Sequence, residues 1–308
     1  MNDSFRLLNA DTPEPLASGQ LQQQRKTLSF TGSFADDAKS FIADKLLETA
    51  INTAIAVGAP LLITGEPGTG KTQAAYYAAY KLGIEPVLHF QVKSDSSAKD
   101  LLYHFDTVRY FHEANLSKGE ALDKRDYIEK RDLWLAIQAD DTRVLLIDEI
   151  DKAPRDFPND LLHELDKMEF KIAETGETIR ADSHKRPIVF ITSNSERRLP
   201  EPFLRRCVYH HIVFTQDLLE KAVAKRKGKE YAALSDDFIK LAINRFLDLR
   251  NSNLRKKPST AEFLMWLRVL GLNVKDYSEN LDRDLSKLPF LGALIKDHQD
   301  LEDLQSKR

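Results

Sequence analysis

Short apolar runs alternate with stretches of three- and four-residue periodicity as far as about residue 214, where the alternation stops. The runs 60–64, 85–92, 144–147, 187–192 and 208–214 have the length and apolar content of buried strands. Before the first of them, residues 36–57 place Phe41, Ile42, Leu46, Leu47, Ala50, Ile51, Ala54 and Ile55 at helical steps. This spacing predicts an amphipathic helix with a break near Asp44. Residues 73–80 and 159–168 read as further helices, and Glu169-Phe170-Lys171-Ile172 with Thr178-Ile179-Arg180-Ala181 reads as a hairpin about Gly176. From Thr215 onward only helical spacing remains, over 217–225, 236–249 and 261–270. The expected architecture is therefore α/β, a parallel sheet over residues 35–214 followed by a smaller all-α domain over 215–308. Residues 1–34, polar and interrupted by Pro13 and Pro15, read as an extended or mobile arm.

Chemistry enters at the first strand. Gly65-Glu66-Pro67-Gly68-Thr69-Gly70-Lys71-Thr72 follows it directly and leads into a helix, fitting the spacing of a phosphate-binding loop. Glycines let the backbone aim several N–H groups at one polyphosphate, and the helix N-terminus adds a partial positive charge. Lys71 reaches the β- and γ-phosphates, and the Thr72 hydroxyl suits Mg²⁺. The third strand ends in Asp148-Glu149. Carboxylates at the carboxyl end of a parallel strand point into the crevice where such sheets bind phosphates. Asp148 is the candidate for the Mg²⁺ shell and Glu149 for orienting and polarising the attacking water. Asn194 follows the carboxyl end of the next strand, where an amide caps the loop or holds the water or a γ-phosphate oxygen; its position favours the second role.

Arg205 and Arg206 close the segment before the last strand. A guanidinium supplied across a subunit boundary neutralises charge growing on a γ-phosphate, whereas the plainer reading is a pair of surface ion-pair donors. Ser259 and Glu262 form a capping box that starts a helix near Thr260, with Arg255 and Lys257 beside it, either reaching bound phosphates or forming a solvated cationic turn. Phe41 and Ile42 read mainly as core, with contact to a nucleotide base as the minority role. His89 reads as a packed strand histidine, favoured over a ligand role. The charged stretch 93–141 carries Tyr103, Phe105, Tyr110 and Phe111, for which core packing is favoured over gripping a partner.

Composition narrows the reading. With 308 residues, 42% apolar and 30% charged, the chain is ordinary globular material, and its net charge of −3 argues against a general nucleic-acid binder. The single cysteine, Cys207, has no partner for an intramolecular disulfide and reads as packed. A reducing, cytoplasmic setting is expected, and no run is long and apolar enough for a membrane span.

With these residues assembled, the chain resembles the AAA+ ATPases, and within them the MoxR-like branch, over roughly residues 35–275. Gly65 to Thr72 is similar to the Walker A motif, Val144 to Glu149 to Walker B, Thr192-Ser193-Asn194 to sensor 1, and Arg205-Arg206 to the arginine-finger region. The narrower likeness rests on the run from Phe41 to Leu62 and on two insertions, at 98–115 and 170–181. The resemblance implies ATP with Mg²⁺ as cofactors and a homo-oligomeric ring, usually a hexamer, that remodels protein partners, often ones carrying von Willebrand factor A domains. The family's sensor 2 arginine falls where this chain has Ser259 and Thr260, leaving Arg255 or Lys257 as substitutes. Two alternatives share the nucleotide residues: a nucleic-acid-dependent motor or loader, and a binding switch with negligible turnover. Glu149 and the arginine pair speak against the switch, and no appended nucleic-acid module supports the motor.

Overall fold

The computed structural model describes residues 33–116, 122–271, 281 and 284–306. Apart from its last two residues, the arm expected over 1–34 lies outside them. The chain divides into two compact units: residues 43–66 with 70–213, and the segment ending at Ile42 with Pro67–Thr69 and Phe214 onward.

In the first unit, β1 (Leu61–Gly65), β2 (Leu88–Gln91), β5 (Val144–Asp148), β8 (Ile188–Ser193) and β9 (Val208–Ile212) form a five-stranded sheet in the order β2-β5-β8-β1-β9. Each neighbouring pair is parallel. The three inner strands are buried almost throughout, which is why they read as unbroken apolar runs and not as alternating ones. Each fully buried Leu or Ile there contributes about 1.5–3 kcal/mol of burial. The edges differ, since β2 is half-buried and β9 exposes Tyr209.

The break expected near Asp44 is present. Helices occupy Phe34–Ala38 and Lys45–Val57, and the Asp44 carboxylate caps the second by accepting from Leu47 N at 2.7 Å. Residues 159–168, expected as one helix, form parts of two short ones, Phe157–Asp160 and Leu162–Lys167. The first carries Pro158 near its start, and Met168 ends the second in the left-handed region at φ 49.

The stretch 93–141 folds as small elements. β3 (Tyr103–Phe105) pairs antiparallel with β4 (Ile128–Lys130), and the helix Thr107–Leu116 between them buries no residue. The expected hairpin forms from β6 (Glu169–Lys171) and β7 (Thr178–Arg180), with Phe170 opposite Ile179. Tyr103 is buried, stacked on Phe170 at 6.2 Å and set edge-on to Trp134 at 5.9 Å. Core packing therefore holds for Tyr103 and fails for Phe111, which is 60% exposed.

The second unit has its own core, centred on Phe246, Phe263, Trp266 and Leu270 from the helices Asp236–Asn251 and Thr260–Gly271. The capping box is formed: Ser259 N donates to Glu262 Oε2 at 2.6 Å and Glu262 N to Ser259 Oγ at 3.3 Å.

Candidate functional site

The glycine-rich loop joins β1 to the helix Lys71–Leu82. Gly68 and Gly70 lie in the left-handed region, at φ 72 and 93, where a side chain would be strained. The N-cap, Gly70, makes no side-chain cap bond, and a helix N-terminus favours an anion. Lys71 is buried, and its ammonium donates to the carbonyls of Gly65 and Glu66, each at 2.9 Å. Burial holds Lys71 below the ordinary lysine value, opposed by the charges of Asp151, Asp148, Glu149 and Glu66.

The carboxyl ends of β2, β5 and β8 supply the rest. Thr72 Oγ1 donates to Asp148, 3.0 and 3.1 Å from its two oxygens. Asp148 Oδ1 also accepts from Thr192 Oγ1 at 2.5 Å, and Oδ2 lies 3.2 Å from His89 Nε2. Burial alone raises the Asp148 pKa, but hydrogen bonds from His89, Thr192 and Thr72 outweigh it and hold the carboxyl below the usual range.

Glu149 stands at φ 60, a left-handed conformation uncommon outside glycine, fixed by its amide donating to Thr192 Oγ1 at 2.8 Å. Its carboxylate accepts from Gln91 Nε2 at 2.7 Å and from Asn194 Nδ2 at 3.2 Å, and is paired with Lys152. Buried Asp151 accepts from the amides of Asn194 and Glu196, at 3.2 and 2.9 Å, and so pins the turn after β8.

Lys71, Thr72, Asp148, Glu149 and Asn194 are thus gathered at one end of the sheet. Arg206 is not among them. It lines a cleft of about 290 Å³ with Pro60, Arg186, Phe203 and Cys207, at the amino ends of β1, β8 and β9. Arg205 precedes it on the C-cap of the helix Glu201–Leu204. Phe41, Ile42, Arg255 and Lys257 belong to the second unit. There the Phe41 carbonyl accepts from Lys225 Nζ at 3.1 Å, and buried Asp300 accepts from the amides of Arg255 and Lys256.

Sequence reasoning gave no role to Gln91 or Asp151, named Thr192 only within the sensor 1 run, and favoured packing over a ligand role for His89. Gln91 carried a usable signal, since it occupies the carboxyl end of a parallel strand beside Asp148. The Thr72 hydroxyl and Asp148 carboxylate form an all-oxygen pair, which suits Mg²⁺ and not a metal that prefers thiolate or imidazole.

The sheet order and this loop define a class, the AAA+ P-loop NTPase fold. Residues 60–207 match the family model of the AAA domain, dynein-related subfamily. No curated protein matches the chain by sequence. Among solved structures it is similar to a chain from Cytophaga hutchinsonii provisionally named an ATPase, at 15% identity and a TM-score of 0.40, covering 94% of this chain and 98% of that one. Among the described residues, no helix is long and apolar enough to cross a membrane.

Proposed function

We propose that the chain binds and hydrolyses ATP at the carboxyl ends of β1, β5 and β8, and works as a MoxR-like ring that remodels protein partners in the cytoplasm. The observation that carries the hydrolytic part is Glu149: an acid beside the Thr72–Asp148 pair, with its oxygens aimed by Gln91 and Asn194. In this reading Lys71 leaves its loop carbonyls for phosphate oxygens, while Thr72 and Asp148 hold Mg²⁺. Bound Mg²⁺ would supply positive charge to the β- and γ-phosphate oxygens. Glu149 orients a water and receives its proton, and Asn194 keeps the carboxylate from turning away.

Arg205 or Arg206 is the guanidinium that the ring reading calls on, and the position of Arg206 supports it. Arg206 lies at the amino ends of the strands, away from its own chain's Lys71, so a guanidinium acting on the γ-phosphate would come from a neighbouring copy. The domain reading that goes with this is a nucleotide-binding domain over 35–214 and a helical domain over 215–308, in which Arg255 or Lys257 serves in place of a sensor 2 arginine. A protein client, of the von Willebrand factor A class that the resemblance implies, completes the proposal.

The test is phosphate release by the unaltered chain and by Glu149→Gln, alongside nucleotide binding and sedimentation. Expected are turnover lost in the variant, ATP still bound, and an ATP-stabilised oligomer. Undiminished hydrolysis by Glu149→Gln would remove Glu149 from its role, and a chain that stays monomeric with ATP bound would remove the ring.

A further inference from the structure

His89 lies on β2, opposite Leu146 of β5, with Gln91 opposite Asp148. Side chains alternate along a strand, and the two faces of β2 divide their work accordingly. Leu88 and Phe90 pack against the main core, so the packing role of this strand is already filled on their face. His89 faces the other way, between the helix Lys71–Leu82 and the end of β5. Its Nε2 lies 3.2 Å from Asp148 Oδ2, and its Nδ1 lies 2.9 Å from the Tyr76 hydroxyl, with the two rings edge-on at 5.9 Å and 72°.

In the neutral ring these contacts select one tautomer. An ionised carboxylate only accepts, so Nε2 carries the hydrogen given to Asp148 and Nδ1 accepts from Tyr76. The aspartate is thereby bracketed: Thr192 donates to Oδ1, His89 donates to Oδ2, and Thr72 faces both oxygens. Of the three donors, only Thr72 is needed elsewhere when a cation arrives. With Mg²⁺ held by Thr72 and Asp148, Thr192 and His89 would be the donors left to keep the carboxylate in place. Without a donor at Oδ2 the terminal torsion of aspartate is broad and roughly two-fold, so the carboxylate would swing.

We propose that His89, with its tautomer set by Tyr76, is a positioning residue for Asp148 that holds the carboxylate in the orientation needed to bind Mg²⁺ together with the nucleotide. The inference rests on reading Thr72 and Asp148 as the Mg²⁺-holding pair. Outer partners of metal ligands typically change metal affinity by about 10–100-fold when removed, which sets the expected scale.

The experiment measures the dissociation constant of a fluorescent ADP analogue on the full chain, in excess Mg²⁺ and in excess EDTA. The ratio of the two constants is the affinity gained from the metal. The unaltered chain should show a clear gain. His89→Ala should keep the EDTA affinity and lose about tenfold of the gain, and His89→Gln, whose amide places a donor near the Nε2 position, should recover most of it. A packing role would instead change both constants together and would not be rescued by glutamine. His89→Ala with the full gain, or His89→Gln as impaired as His89→Ala, would overturn the proposal. Failure of the unaltered chain to bind the analogue under either condition would overturn the nucleotide reading itself, a result distinct from a lost Mg²⁺ effect.

Discussion

Lys71 and Asp151 apart, whose partners are backbone, the polar groups at the two ends of the central sheet are held by different means. At the carboxyl ends, Thr72, His89, Gln91, Asp148, Glu149, Thr192 and Asn194 are bonded side chain to side chain. At the amino ends, the partners are backbone. Arg186 donates to the carbonyls of Gly58 at 2.8 Å, Leu165 at 3.2 Å and Asp166 at 2.9 Å. Arg206 donates to Pro202 O, and the Cys207 thiol to Phe203 O. Carbonyls fixed by secondary structure cannot turn to meet a ligand, whereas side-chain partners can be exchanged for one at the cost of a rotamer. The amino end is therefore built as a brace and the carboxyl end as a set of exchangeable contacts.

The contrast predicts different failures at the two ends. The largest effect is expected from Glu149→Gln, a fall in turnover of about 10²–10⁴-fold with the melting temperature nearly unchanged, read by phosphate release and thermal denaturation. Arg186→Ala should do the reverse. By stranding three carbonyls it should cost about 2–3 kcal/mol in a urea titration while leaving nucleotide affinity within about twofold. Lost turnover with unchanged stability in Arg186→Ala would erase the distinction.

A smaller effect concerns acid. The folded pKa of Asp148 lies below its ordinary 3.8, with burial opposing and the bonds from His89, Thr192 and Thr72 prevailing. Its contribution to stability is thus fully present above the unfolded value and is lost as pH falls through the lower folded one. Asp148→Asn should flatten the acid limb of a stability–pH curve measured without nucleotide, below about pH 4. The smallest effect should come from Cys207, whose thiol burial pushes up to about 12. At pH 8 its reaction with a disulfide reagent should be at least about tenfold slower in the folded chain than in urea. Equal rates would place the thiol outside the brace.

Much of this was legible in the chain because the signals were local. A loop of fixed spacing, apolar runs ending in acids and the Ser259–Glu262 box each depend on neighbours within a few residues, and each appears where its pattern put it. His89 and Asp151 were not legible as site residues, and Thr192 was legible only as a member of the sensor 1 run. What makes them so is pairing across the sheet, His89 to Asp148 over 59 positions and Thr192 to Asp148 over 44, which periodicity along one strand cannot report. The stretch 93–141 was opaque for a related reason. Tyr103 is buried because Phe170 and Trp134 arrive from other elements, whereas Phe111 lies on a helix that buries no residue.

Lys71 has partners within its own loop. Its ammonium ties the loop to itself through the Gly65 and Glu66 carbonyls, so the cation also acts as an internal template for the loop's shape. Binding a phosphate then trades two neutral acceptors for charged ones, and the gain is the difference between them, smaller than the full strength of either bond. Removing the ammonium takes away the template and the phosphate partner together. A lost affinity in Lys71→Ala would therefore measure their sum, and the two parts come apart only when the loop's shape is measured independently of affinity.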